Sequence, residues 1–156
     1  MRKITLICVG NLKEKYLSEA VAEYKKRLNK YFDVQIIEVA ENKLMGRITQ
    51  GEIEKALKDE SQRILNKIKS ENLCTLCVEG KQLSSEEFAD LVQQRTDKGE
   101  LFFVIGSSYG LHESVKQDSV KLSFGKMTFP HQLMRVIFLE QLYRAGTIIN
   151  NVEYHK

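Results

Sequence analysis

Five consecutive apolar residues, Leu101-Phe102-Phe103-Val104-Ile105, form a run with no polar face to turn toward water. A strand of this kind must be covered on both sides, the condition met inside a parallel sheet sandwiched by helices. Lys3–Val9 reads as a second buried strand, and Val34–Val39, Leu73–Val78 and Val120–Phe124 as three more. Helical patterns separate them. Glu14–Leu28 carries an apolar stripe of Leu17, Ala20, Val21, Tyr24 and Leu28, and Glu52–Lys69 turns Ile53, Ala56, Leu57, Ile64, Leu65 and Ile68 inward. Ser84 with Glu87 three residues on is the signature of a capping box, starting a helix that reaches about Thr96. A short helix is expected near Glu113–Gln117, and a final one from Pro130, whose fixed φ suits a first helical turn. Ala40–Gln50 is a polar linker, and Gly80 closes the third strand. Strands alternating with helices predict an α/β fold, a mostly parallel sheet with helices on both faces, in one domain spanning residues 1–156.

The last helix is unusual. From Leu133 to Tyr143 only Arg135, Glu140 and Gln141 interrupt the apolar residues. A surface helix shows a single apolar stripe; one apolar nearly all round needs cover from two sides. A second copy of the chain is the expected source, giving a homodimer packed on this helix.

Composition narrows the function classes. With 42% hydrophobic and 29% charged residues, the chain has the balance of a soluble globular domain. No run is long enough for a membrane span, and Met1-Arg2-Lys3 leads into an apolar stretch too short for a secretory signal, so a cytoplasmic protein is expected. The net charge of +3 is a mild excess. Lys25, Lys26, Arg27 and Lys30 cluster near Lys13 and Lys15, where a solvated helix face and a phosphate contact are both compatible with the pattern. The three cysteines, Cys8, Cys74 and Cys77, form no secreted disulfide framework. Cys74 and Cys77 have Cys-x-x-Cys spacing but fall within a strand, where residues three apart face opposite ways, and read as core.

No Gly-x-Gly-x-x-Gly loop follows the first strand, where Val9-Gly10-Asn11-Leu12 stands, and there is no Walker A motif or paired metal-ligand spacing, so no metal is expected. Gly106-Ser107-Ser108-Tyr109-Gly110 does fit the Gly-x-Ser-x-Gly elbow, with Ser108 as nucleophile, Asp118 as acid and His131 or His155 as base. Against it, Asp118 would sit on the very helix that the elbow opens. The same loop, together with Phe124–Phe129 after the next strand, also suits a polar crevice at the ends of parallel strands where a nucleotide-like ligand binds. Finally, Tyr154-His155-Lys156 places a phenol, an imidazole and a cation side by side.

Leu122-Ser123-Phe124-Gly125-Lys126-Met127-Thr128-Phe129-Pro130-His131, then Arg135-Val136, Glu140-Gln141-Leu142-Tyr143-Arg144-Ala145 and the terminal Tyr154-His155-Lys156, together resemble the ribosomal RNA large-subunit methyltransferase H family of the SPOUT class. Phe103-Val104-Ile105-Gly106, Glu79-Gly80-Lys81, Glu23-Tyr24 and Arg27-Leu28 extend the likeness over essentially the whole chain. The resemblance implies a SPOUT fold with a C-terminal trefoil knot, an exception to the rule against threading. It also implies a homodimer that moves a methyl group from S-adenosylmethionine to N3 of a pseudouridine in 23S rRNA within the assembled ribosome. By position, cofactor contacts fall on Leu76, Gly106, Phe124, Gly125, Lys126, Met127, Thr128 and Phe129. His155, Tyr154 and Arg144 become catalytic candidates, with His155 the first choice for the base, and Lys156 and Arg135 substrate-binding ones. The chain departs from the family at Ser107, where a glycine is usual. A catalytically silent ribosome-binding module and a small serine hydrolase acting through Ser108 are the alternatives.

Overall fold

In strand β1 (Arg2–Val9) every residue from Ile4 to Val9 is buried, which makes it an interior strand of the sheet. The structure, a computed structural model describing residues 1–156, places β2 (Phe32–Val39) on one side of it and β4 (Leu101–Ile105) on the other. Strands β3 (Leu73–Gln82) and β5 (Val120–Ser123) complete five strands in the order β2-β1-β4-β3-β5, all parallel. The crossovers are α1 (Lys15–Leu28), α2 (Gln50–Leu65), α3 (Ser85–Asp97) and the short α4 (Glu113–Lys116), and α5 (His131–Ile149) follows β5.

The two-residue period of β4 explains why its run is apolar throughout. Leu101, Phe103 and Ile105 enter a core shared with Leu28 of α1, Phe88 and Val92 of α3, and Phe138, Leu139 and Leu142 of α5. Phe102 and Val104 enter a smaller core on the other face, with Ile64 of α2 and Val115 of α4. Each strand residue thus removes one side chain from water on one face or the other, as the expected architecture requires.

Four boundaries differ from the sequence reading. Helix α2 stops at Leu65, which is 41% exposed; the buried face carries Ala56, Glu60, Ser61 and Ile64, so it includes two polar side chains that the sequence reading did not place inward, while Ile53 and Leu57 are only half-buried. Strand β3 does not end at Gly80. It bulges between Leu76 and Lys81 and pairs again with β5 through Gln82. Gly80 sits where a Cβ would lie 2.6 Å from the backbone of Leu122, so the close passage of the β5 chain fixes glycine there. Strand β5 ends at Ser123, one residue before Phe124. Pro130 precedes α5 as its N-cap, with extended ψ, and its carbonyl accepts from Met134 N–H at 2.9 Å.

Helix α5 is held between α1 and α3 and across the sheet, burying Phe138, Leu139, Leu142, Ala145 and Gly146 within this one chain. Gly146 admits the Tyr31 ring, which a Cβ would meet at 2.8 Å. Val136, Ile137 and Tyr143 stay half-buried and Leu133 is 37% exposed, so the helix keeps apolar surface on its outer side. No helix is long and apolar enough to cross a membrane.

Candidate active site

The loops leaving β4 and β5 and the irregular end of β3 enclose a cleft of about 340 Å³. Its apolar wall is Leu76, Ile105, Leu122, Phe124 and Met134; Met127, Thr128 and Phe129 form the rim. The loops are shaped by local bonds. Gly110 N–H donates to Ser107 C=O at 2.9 Å, and Ser123 Oγ accepts from Gly125 N–H at 3.2 Å while donating to Gly125 C=O at 3.0 Å. Gly106 packs so tightly on Gly110 that a Cβ would clash with its carbonyl oxygen. Gly125, at φ 134°, has open space where a side chain would be, so a ligand can approach its backbone closely. An apolar wall beside glycine-bearing loops suits a ligand with a flat ring system and a polar tail, such as S-adenosylmethionine.

Of the residues assigned to the cofactor by resemblance, Leu76, Gly106, Phe124, Gly125, Met127, Thr128 and Phe129 line this cleft together. Lys126 is exposed and is not in its lining. Cys77, expected in the core, is only half-buried and lines the cleft through the β3 bulge, whereas Cys8 and Cys74 are buried and burial pushes both thiols up to about 12.

The tail gathers elsewhere. Tyr154 Oη donates to Glu140 Oε2 at 2.8 Å, and Arg144 forms an ion pair with the same carboxylate at 2.8 Å while lying over the Tyr154 ring. Arg144 Nη1 lies 3.1 Å from His155 Nδ1. A guanidinium can only donate, so Nδ1 is the acceptor and Nε2–H donates to Glu86 Oε1 at 2.5 Å. Burial and the bond to Glu140 raise the Tyr154 phenol above its usual range, so it stays protonated. None of these residues lines the cleft of its own chain. Glu140 and Glu86, the carboxylates that hold the cluster, were not singled out in the sequence; the four-residue spacing of Glu140 and Arg144 on α5 is the signal that marks the first.

Arg135 is not placed to meet a substrate. It is 2% exposed, paired with Glu38 at 2.6 Å and bonded to Gly10 C=O at 3.2 Å, tying α5 to the ends of β1 and β2. Lys156 is open to solvent. The hydrolase arrangement does not form, since no hydrogen bond joins Ser108 to Asp118 or His131 and both nitrogens of His155 are engaged elsewhere. His112 caps α4 by accepting from Ser114 N–H at 3.1 Å.

The model of a family described as predicted SPOUT methyltransferases matches residues 2–155. The chain belongs to the SPOUT methyltransferase family. A solved structure described only as that of a hypothetical protein is similar over 94% of this chain and 68% of its own, at 12% identity and a TM-score of 0.49. Members of the SPOUT family use S-adenosylmethionine as methyl donor.

Proposed function

We propose that this SPOUT methyltransferase methylates N3 of a pseudouridine in 23S rRNA of the assembled ribosome, in the cytoplasm and as a homodimer. The observation that carries the reading is the separation of two incomplete sites in one chain: a donor cleft without acid–base groups of the tail, and a tail cluster without a cleft. Joined across two copies, they supply what the reaction needs. The half-covered outer side of α5 supports such an assembly.

In this reading Leu76, Gly106 and Phe124–Phe129 hold S-adenosylmethionine, Lys126 from the rim. When bound, that donor supplies an electrophilic methyl group already activated by its sulfonium, so the protein's contribution is positioning and proton handling. The imide N3–H of pseudouridine must lose its proton before the nitrogen can attack. Nδ1 of His155 faces Arg144 as an acceptor, and it can take that proton once Arg144 turns toward the substrate. Arg144 then stabilises the imide anion, while Tyr154, held protonated by Glu140, fixes the cluster's geometry. Lys156 is free to meet a backbone phosphate. The knot implied by the resemblance belongs to the same proposal.

The test is transfer of a labelled methyl group from S-adenosylmethionine to whole ribosomes, separate subunits and free rRNA in parallel. Incorporation into whole ribosomes is expected. A chain that binds ribosomes yet labels none of the three is the silent module instead, and adduct formation at Ser108 with a fluorophosphonate would revive the hydrolase.

A further inference from the structure

Glu60 is the one acid on the buried face of α2, 3% exposed. Its Oε2 accepts from Asn42 N–H at 2.9 Å, but Oε1 is buried with no hydrogen-bond partner. Buried carboxylate oxygens are rarely left so, because the unmet group keeps its full desolvation cost. Burial raises this carboxyl above the usual range, and the hydroxyl of Ser107 is close enough to draw it partly back, although no bond of ordinary length is closed between them. Ser107 is itself 7% exposed and belongs to the wall of the donor cleft. Its hydroxyl makes only a long contact, 3.4 Å, with Tyr109 N–H.

Two half-satisfied polar groups therefore lie near each other at the cleft wall, one on helix α2 and one on the Gly106–Gly110 loop. Glu60 is anchored on its far side. Asn42 is bonded to Arg63 at 2.6 Å and Asp59 at 2.9 Å, and Arg63 also donates to Ala40 C=O at 2.9 Å. The acid is thus held in place on its helix.

We propose that Glu60 is a positioning residue for the methyl-donor loop: a hydrogen bond between Ser107 Oγ and Glu60 Oε1 closes when the donor binds and draws the loop into its binding geometry. This rests on the donor reading of the cleft. It also gives Ser107 a use where the resembling family has glycine, since its hydroxyl gains a partner in the buried acid.

Donor binding by calorimetry and steady-state methylation of ribosomes, with the full chain, test the pair. S107A and E60L are each expected to weaken donor binding about 5- to 10-fold, the equivalent of one hydrogen bond, and to raise the donor KM rather than lower kcat. E60Q, which keeps a hydrogen-bonding group in place, is expected to restore near-native affinity. The double variant S107A/E60L should bind no worse than the weaker single one. Effects that multiply in the double variant, or a lowered melting temperature with unchanged donor affinity, would overturn the proposal, and S107A decides it alone if E60L does not fold. If the native chain binds no donor, the cleft reading falls and the latch with it; if it binds and both variants bind equally well, only the latch falls.

Discussion

Arg135 shows how a single side chain can change meaning between sequence and structure. A cation in a highly apolar helix reads as a substrate contact, yet it is buried against Glu38 and Gly10. Removing it leaves a carboxylate that is 42% exposed, so R135A should cost about 2–3 kcal/mol in urea unfolding, less than breaking a fully buried pair. Buried thiols give a second check. Native protein should label slowly at Cys77 and not at Cys8 or Cys74 until it unfolds, because burial opposes formation of the reactive thiolate. His131 gives a pH signature. Burial, the largest influence, holds it below its ordinary 6.5, with Arg135 and Lys13 acting the same way and Glu41 opposing. The unfolded chain then binds a proton that the folded chain resists, so the residue's stabilising share is present above about pH 6.5 and is lost as pH falls through the folded pKa. H131Q should lessen the loss of melting temperature on mild acidification; an unchanged pH slope would contradict this assignment.

At the scale of elements, local rules were legible where the signal was itself local. The Ser84–Glu87 capping box forms as read, with Ser84 N–H on the Glu87 carboxylate at 2.8 Å and Glu87 N–H on Ser84 Oγ at 3.1 Å. S84A should cost about 1 kcal/mol. Leu101–Ile105 likewise announced a strand covered on both faces, because alternation plus continuous apolarity leaves no other placement. The β3 bulge was not legible. Gly80 looks like a terminator, and only its contact with Leu122, a chain segment far away in sequence, shows that the strand runs on past it beside β5. G80A should destabilise by about 3 kcal/mol through overpacking against backbone that cannot rotate away. The buried Glu60 was hidden for a related reason: periodicity marks which face is inward but not that a distant loop supplies a polar neighbour.

At the scale of the whole molecule, seven of the eight positions that the resemblance assigns to the methyl donor line one cleft. The separation of that cleft from the tail was not legible, because no local pattern reports where a chain end settles on a distant surface. Mixing a tail-truncated chain with a cleft variant such as G106V should restore activity in the heterodimer if the site is shared, and restore none if each chain works alone. The central claim is the identity of the methylated atom. Ribosomes lacking the modification, incubated with the protein and S-adenosylmethionine, can be digested to nucleosides and separated by mass spectrometry against synthetic standards. The account predicts one new nucleoside, pseudouridine carrying its methyl on N3; a methyl on ribose, on another base or on no nucleoside at all would contradict it.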